Sequence, residues 1–251
     1  MGPLPIDSLT LEEALDVVQD LVDGGEGGSV FTPNVDHVVL ADMDARLRGA
    51  YARASLSLVD GAPLVWASRL LGETLPEKIS GSDFVLPLLE RASEREWRVY
   101  FLGGAPGVGE KARDKLCVRL PRLQVVGVDS PRIDVDDSPE RREAVLAPIR
   151  DANPQLVLVA LGAPKQEIWI DRARDALRPA VLLGIGAALD FVAGTVPRAP
   201  AWLSRVGLEW LFRLSREPRR LWRRYLVRDP RFVLLLARAI RERRRVASRA
   251  R

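Results

Sequence analysis

Residues 156–167 read Leu156-Val157-Leu158-Val159-Ala160-Leu161-Gly162-Ala163-Pro164-Lys165-Gln166-Glu167, a short apolar run followed by a Gly-Ala-Pro turn and a polar helical start. A run this dense in Val and Leu and bounded by turn residues predicts a strand covered on both faces. A helical pattern over Lys165–Leu177 comes next, and then a second apolar run, Ala180–Ile185. Strand, crossover helix, strand is the building unit of a parallel sheet.

Working outward, the same alternation covers most of the chain. Further strands are expected at Ser29–Thr32, Leu56–Val59, Arg98–Leu102 and Leu123–Val128. Helices are expected near Thr10–Val22, Val35–Ala54, Pro63–Leu71, Ser82–Glu94, Val108–Leu120, Pro139–Asp151 and Leu189–Ala193. Thr10 with Glu13 has the capping-box spacing, and Ser138-Pro139 looks like an N-cap followed by proline at the first helical position. The fold class is therefore α/β: a Rossmann-like, mostly parallel sheet with helices on both faces. From about Trp202 the rhythm changes to an Arg-rich amphipathic pattern, which Pro218 and Pro230 divide into three short helices. Residues 1–201 are read as the body and residues 202–251 as a C-terminal helical appendage.

The 251 residues are 47% hydrophobic and 29% charged, an ordinary globular composition. His37 is the sole histidine and Cys117 the sole cysteine, so an intrachain disulfide and a Cys/His zinc site both lack partners. The net charge of +4 conceals an asymmetry. Residues 204–251 hold sixteen Arg against Glu209, Glu217, Asp229 and Glu242, a net +12, which leaves residues 1–203 at −8. A basic tail on an acidic body points to an anionic partner, whether phosphorylated substrate, acidic lipid or nucleic acid. No basic-then-apolar leader is visible, and the apolar stretch Phe232–Ile240 is too short to span a bilayer and is interrupted by Arg238. The protein is expected to be able to lie on a membrane and not to cross one.

In an open parallel sheet, ligands bind beyond the carboxyl ends of the strands. Five of the six expected ends carry small residues beside polar ones: Thr32-Pro33-Asn34, Asp60-Gly61, Gly103-Gly104, Gly162 through Lys165-Gln166, and Gly186 through Asp190. Glycines admit a ligand to the backbone, and helix N-termini behind them favour phosphate. The Gly103–Lys111 segment departs from a P-loop, because Glu110 separates the last glycine from Lys111 and Ala112 stands where a Ser or Thr would bind magnesium. It also lacks dinucleotide G-x-G-x-x-G spacing. Two D-x-D tripeptides, Asp42-Met43-Asp44 and Asp134-Val135-Asp136, are read as surface or capping residues, and no bound metal or other cofactor is expected. Asp60, ending an apolar strand, is open between a general base and an N-cap for the helix near Pro63. His37 fits a structural hydrogen-bonder better than a catalyst, and mid-helix Cys117 fits packing. Arg213, Arg216 and Arg220 follow one helix face, interrupted by Pro218. Trp202, Trp210, Phe212, Trp222 and Tyr225 accompany them in a membrane-interface mixture.

Thr32-Pro33-Asn34 with Asp36-His37, Asp60-Gly61, Gly81-Ser82-Asp83, Gly162-Ala163-Pro164-Lys165-Gln166-Glu167, Gly186-Ala187-Ala188-Leu189-Asp190, Gly207-Leu208-Glu209-Trp210 and Glu217-Pro218-Arg219-Arg220 resemble, in order and spacing, the WecG/TagA/CpsF glycosyltransferases (glycosyltransferase family 26). The likeness extends to about Ala237. It implies a bacterial, inverting, metal-independent transferase that moves a sugar from a UDP-sugar to a polyprenyl-diphosphate-linked saccharide at the cytoplasmic membrane surface, with N-acetylmannosamine the favoured sugar. By the same resemblance Asp60 would be the catalytic base, Thr32 and Asn34 would line the sugar pocket, and Gln166 would contact substrate. Arg213, Arg220 and Arg223 would meet the diphosphate when the appendage closes. A homo-oligomer is compatible with the sequence, and nucleic acid becomes the weaker explanation of the tail. A non-enzymatic membrane- or nucleic-acid-binding module would account for the tail but not for the polar strand ends, and an oxidoreductase would need the missing dinucleotide fingerprint. Deleting the residues after about Trp202 is expected to abolish sugar transfer while leaving a folded body; full activity of the truncated protein would contradict that division of labour.

Overall fold

The computed structural model describes residues 4–200, 203 and 207–249; Trp202, the boundary at residues 201–202 and Arg251 lie outside the described residues. Six strands, β1 Gly28–Phe31, β2 Leu56–Ser57, β3 Arg98–Gly103, β4 Gln124–Asp129, β5 Leu156–Ala160 and β6 Val181–Gly184, form one all-parallel sheet among them. The strand order is β2-β1-β6-β5-β3-β4. β5 and β6 lie in the middle and are buried at every position, which is why they read as continuous Val/Leu runs. β4 is an edge strand with exposed ends and partly buried residues between them.

Helices cover both faces. α1 (Leu11–Asp23), α5 (Gly81–Glu94), α6 (Val108–Arg119) and α9 (Ala188–Ala193) pack on one face through residues such as Val18, Phe84, Leu88, Leu116 and Leu189. α2 (Val35–Met43), α3 (Ala45–Ala52), α4 (Ala62–Leu70), α7 (Pro139–Ala152) and α8 (Lys165–Ala173) bury Val38, Leu47, Leu64, Ile149 and Ile170 on the other. The expected N-terminal signals are in place: Thr10 and Glu13 form the capping box of α1, and Ser138 accepts from Arg141 N–H to start α7.

Two expected boundaries change. The single helix anticipated over Val35–Ala54 is broken at Asp44, whose backbone is extended and whose carboxylate accepts the Arg46 N–H at 2.8 Å. A short polar side chain that bonds locally competes with the helical ladder, so Asp44 caps α3 instead of continuing α2. The helix expected to reach Leu177 ends at Ala173 and passes into a 3-10 turn, Arg174–Leu177. β2 is shorter than expected, yet its backbone stays extended against β1: Leu58 N–H donates to Phe31 O and Asp60 N–H to Pro33 O, each at 2.8 Å. Those two bonds carry Asp60 alongside the loop that follows β1.

The C-terminal region comprises α10 (Glu209–Arg216), α11 (Pro218–Trp222) running on into a π-helical turn (Arg223–Arg228), and α12 (Arg231–Arg249). The third segment is nineteen residues long, not short, because no proline or glycine follows Pro230 and the sequence is rich in helix-forming Arg, Leu and Ala. Phe232, at its start, is buried in the same core cluster as α2 and α8, with Leu235 and Leu236 packed against it.

Gly103 ends β3 with φ +95°, and a Cβ there would stand 2.6 Å from Ala160 O. Both backbone conformation and space demand glycine at this position. Gly103→Ala is expected to lower unfolding free energy by about 2–4 kcal/mol in chemical denaturation, from left-handed strain plus overpacking; unchanged stability would contradict the close β3–β5 approach.

Candidate active site

Adjacent strands β1 and β6 send their following helices to opposite faces of the sheet, α2 to one and α9 to the other. Diverging connections leave a crevice at the carboxyl edge, where such sheets bind ligands. A cavity of about 460 Å³ opens there. Its walls come from the ends of β1, β2, β3, β5 and β6, the five ends that the sequence marks with small and polar residues; the end of β4 takes no part. Thr32, Asn34, Asp60, Gly104, Gly162, Gln166, Gly186 and Asp190 all line it.

Asp60 sits between this cavity and a second one of about 320 Å³. It is not the helix cap: Gly61 holds the N-cap position of α4 and makes no side-chain bond, while the Asp60 carboxylate turns to Asn34 Nδ2 at 3.5 Å. Burial pushes the Asp60 carboxyl above the usual carboxylate value, Glu209 adds to that push, and Lys78, the Asn34 bond and His37 oppose it. The result is a carboxylate more basic than a surface aspartate. Asn34 itself caps α2, its Oδ1 accepting from Asp36 N–H at 3.1 Å.

The C-terminal segments close the crevice from above. α10 brings Arg213 to both cavities, with its guanidinium 6.0 Å from the Phe191 ring. Arg220, paired with Glu217, lines the larger cavity. Arg223 lines neither and stacks over Trp222 at 5.4 Å. Arg224, which belongs to the run of tail arginines suited to gripping phosphate, and Arg228 occupy the site instead, although neither was expected at the diphosphate. Arg224 Nη2 donates to Asn34 Oδ1 at 3.1 Å, and Arg228 Nη2 donates to Asp36 Oδ2 at 2.8 Å. Asp36 is 2% exposed and also has Arg224 Nε 3.1 Å from Oδ2. Beside it, Asp229 is raised well above an ordinary aspartate, first by burial and then by the Asp36 charge. The missed signal was the spacing Arg220, Arg224, Arg228, one arginine every four residues, which the π-helical turn keeps on one face.

Of the other expected contacts, Gly61 lines the smaller cavity, while Gly103 and Lys165 line neither. Lys165 donates to Ile133 O at 3.1 Å, a structural bond to the chain ahead of α7. Gln166 reaches the cavity with its carboxamide already engaged, accepting from Gly186 N–H and donating to Glu167, each at 2.9 Å. The smaller cavity has an apolar wall of Val35, Pro63, Trp210, Tyr225, Pro230 and Phe232, and shares Asn34, Asp60, Glu209, Arg213 and Arg224 with the larger one. One basic carboxylate at the junction of a polar and an apolar-walled cavity, with arginines above it, suits proton removal from a hydroxyl beside an anionic leaving group. The two D-x-D tripeptides lie elsewhere: Asp44 caps α3, and Asp134, Asp136 and Asp137 bond among themselves and to Arg46.

Comparison with known proteins agrees with that chemistry. A family model described as Glycosyl transferase WecG/TagA/CpsF family matches residues 1–246, further along the chain than the motif likeness to Ala237 indicated. The chain is 32% identical over 205 residues to a protein of Bacillus spizizenii named N-acetylglucosaminyldiphosphoundecaprenol N-acetyl-beta-D-mannosaminyltransferase, covering 82% of this chain and 77% of that one. A protein of the same name from Bacillus subtilis matches with the same identity and coverage. The chain belongs to the WecG/TagA/CpsF family of glycosyl transferases.

Proposed function

We propose that this glycosyltransferase moves N-acetylmannosamine from its UDP-sugar to a polyprenyl-diphosphate-linked N-acetylglucosamine, by direct displacement with inversion. The observation that carries the reading is the position of Asp60, a half-buried carboxylate made more basic by desolvation, at the meeting of two cavities under Arg213 and Arg224. The names of the Bacillus relatives support the choice of acceptor and sugar.

The larger, polar cavity takes the UDP-sugar, with Thr32 and Asn34 near the sugar and the glycine-lined strand ends near the phosphates. The smaller cavity takes the acceptor saccharide, its apolar wall facing the sugar's hydrophobic side and the start of the lipid. Asp60 removes the proton from the acceptor hydroxyl as that oxygen bonds to the anomeric carbon. The bond from the anomeric carbon to the phosphate oxygen breaks, and UDP leaves with its electron pair. Arg213, Arg220 and Arg224 supply the positive charge that the departing diphosphate requires, within a site that excludes bulk water. Residues 202–251 act as the closing element, because these arginines meet the body only when the appendage is docked on Asn34 and Asp36.

The outer surface of that element suits the interface of an anionic membrane. Trp222, Leu226, Val227, Val233 and Leu234 are exposed beside Arg219, Arg223 and Arg231, and Trp66 and Leu70 of α4 add to the exposed apolar area. Each basic residue near an acidic lipid surface contributes about 1 kcal/mol. No helix of the described residues is long and apolar enough to cross a membrane.

Asp60→Asn is expected to cut turnover by about 10²–10⁴-fold while leaving UDP affinity within about twofold, read by UDP release and by calorimetric titration; wild-type turnover would overturn the base assignment. Because the carboxylate form is the active one and its pKa is raised, wild-type kcat/KM should fall with acidification through a midpoint above the ordinary aspartate value of 3.8, and that limb should vanish in the asparagine variant. Replacing Leu226, Val227 and Leu234 together by serine should weaken co-sedimentation with phosphatidylglycerol vesicles and leave turnover of a short-chain, water-soluble acceptor unchanged. Unaltered vesicle binding would contradict the membrane-facing assignment.

A further inference from the structure

Glu167 ends the Gly-Ala-Pro-Lys-Gln-Glu turn and has no part in the scheme above, yet it is 1% exposed at the centre of the sheet's carboxyl edge. It lines neither cavity. A carboxylate placed there is tolerated only with good partners. Its Oε1 lies 3.2 Å from His37 Nε2 and accepts from Gln166 Nε2 at 2.9 Å. His37, 7% exposed, turns its other ring nitrogen to Asn34, with Nδ1 2.9 Å from Oδ1 and 3.3 Å from the backbone nitrogen. The Asn34 carboxamide then reaches Asp60 Oδ2 through Nδ2 at 3.5 Å and receives Arg224 on Oδ1 at 3.1 Å. Gln166 closes the other end by accepting the Gly186 N–H.

We propose that Glu167 and His37 are a positioning pair, which fixes the Asn34 carboxamide and thereby the orientation of the Asp60 carboxylate toward the acceptor. The pair ties α2, the helix after β1, to α8, the helix after β5, through residues 130 apart in the chain, and Gln166 extends the tie to the turn after β6. Three groups stand on the Oδ1 side of the Asn34 carboxamide: the Asp36 N–H and Arg224 donate to Oδ1, and His37 Nδ1 lies 2.9 Å from it, which leaves Nδ2 directed at Asp60. Arg224 comes from the appendage, so the body's own share of the clamp is the Asp36 N–H together with the Glu167–His37 pair. Packing supports the same placement, since the Tyr51 ring stands edge-on to His37 at 6.3 Å and is itself wholly buried. Gly184 makes room for the arrangement: a Cβ at that position would lie 2.5 Å from Gln166 Nε2.

This inference rests on Asp60 being the base, and a double-mutant cycle separates the two. His37→Phe, which keeps an aromatic ring against Tyr51 but removes both polar contacts, should lower kcat by about tenfold or more with KM for the UDP-sugar and UDP affinity within about twofold. In an Asp60→Asn background the same substitution should have no further effect, because its action passes through Asp60. A loss that multiplies in that background, or a wild-type kcat in the single variant, would overturn the pair and leave the base standing; wild-type kcat in Asp60→Asn would remove both. Glu167→Gln, which retains an acceptor for His37, should recover most of the activity lost in Glu167→Ala. Should His37→Phe fail to fold, the sole histidine supplies a second measurement on the wild-type fold. The imidazole ¹⁵N resonances, assigned without ambiguity, should shift in Glu167→Gln, and identical spectra would overturn the contact.

Discussion

The departure of adjacent strands β1 and β6 toward opposite faces of the sheet is the constraint on which the site depends. It leaves backbone ends without a helix lying across them. Everything chemically distinctive in the chain gathers at that gap. Thr32 and Asn34 arrive from β1, Asp60 from the extended run after β2, Gln166 from β5 and Asp190 from β6. None of these residues is near another in sequence except within its own turn, so the parallel topology performs the assembly.

The second determinant is charge. The acidic body and the basic C-terminal region are joined at a buried carboxylate, Asp36, held between Arg224 and Arg228. Removing a carboxylate from water is costly, and two guanidinium groups offset that cost only while the appendage is docked. The same docking presents Arg213, Arg220 and Arg224 to the crevice. Under the proposed closure the site is complete only with the C-terminal element in place, which suits an enzyme that must withhold an activated sugar from water until a lipid-linked acceptor is present.

The sheet, both helical layers and the five cavity-lining strand ends could be read from the chain because buried Val/Leu runs, Gly-rich turns and caps are local signals. Asp44 was read as a surface or capping residue and does cap α3, but the break this makes in the run Val35–Ala54 shows only when its side chain is seen to bond the next turn. The arginines were harder still. Arg223 follows the resemblance, but a π-helical turn rotates Arg224 and Arg228 inward and leaves Arg223 on Trp222. His37 was read as a structural hydrogen-bonder and is one, but its partner Glu167 stood only within a motif, and the fold alone brings the two side chains together at the starts of α2 and α8. Long-range polar contacts of this kind carry no spacing rule.

The central claim is that one carboxylate, served by two cavities and a docked arginine cluster, transfers a sugar from UDP to a lipid-diphosphate saccharide. The direct measurement is UDP release from UDP-N-acetylmannosamine with a short-chain polyprenyl-diphosphate N-acetylglucosamine acceptor, followed by mass analysis of the lipid product. UDP release should require the acceptor, and the lipid product should be heavier by one N-acetylhexosamine. Acceptor-independent UDP release, or no mass gain with this donor or any other UDP-sugar, would contradict it.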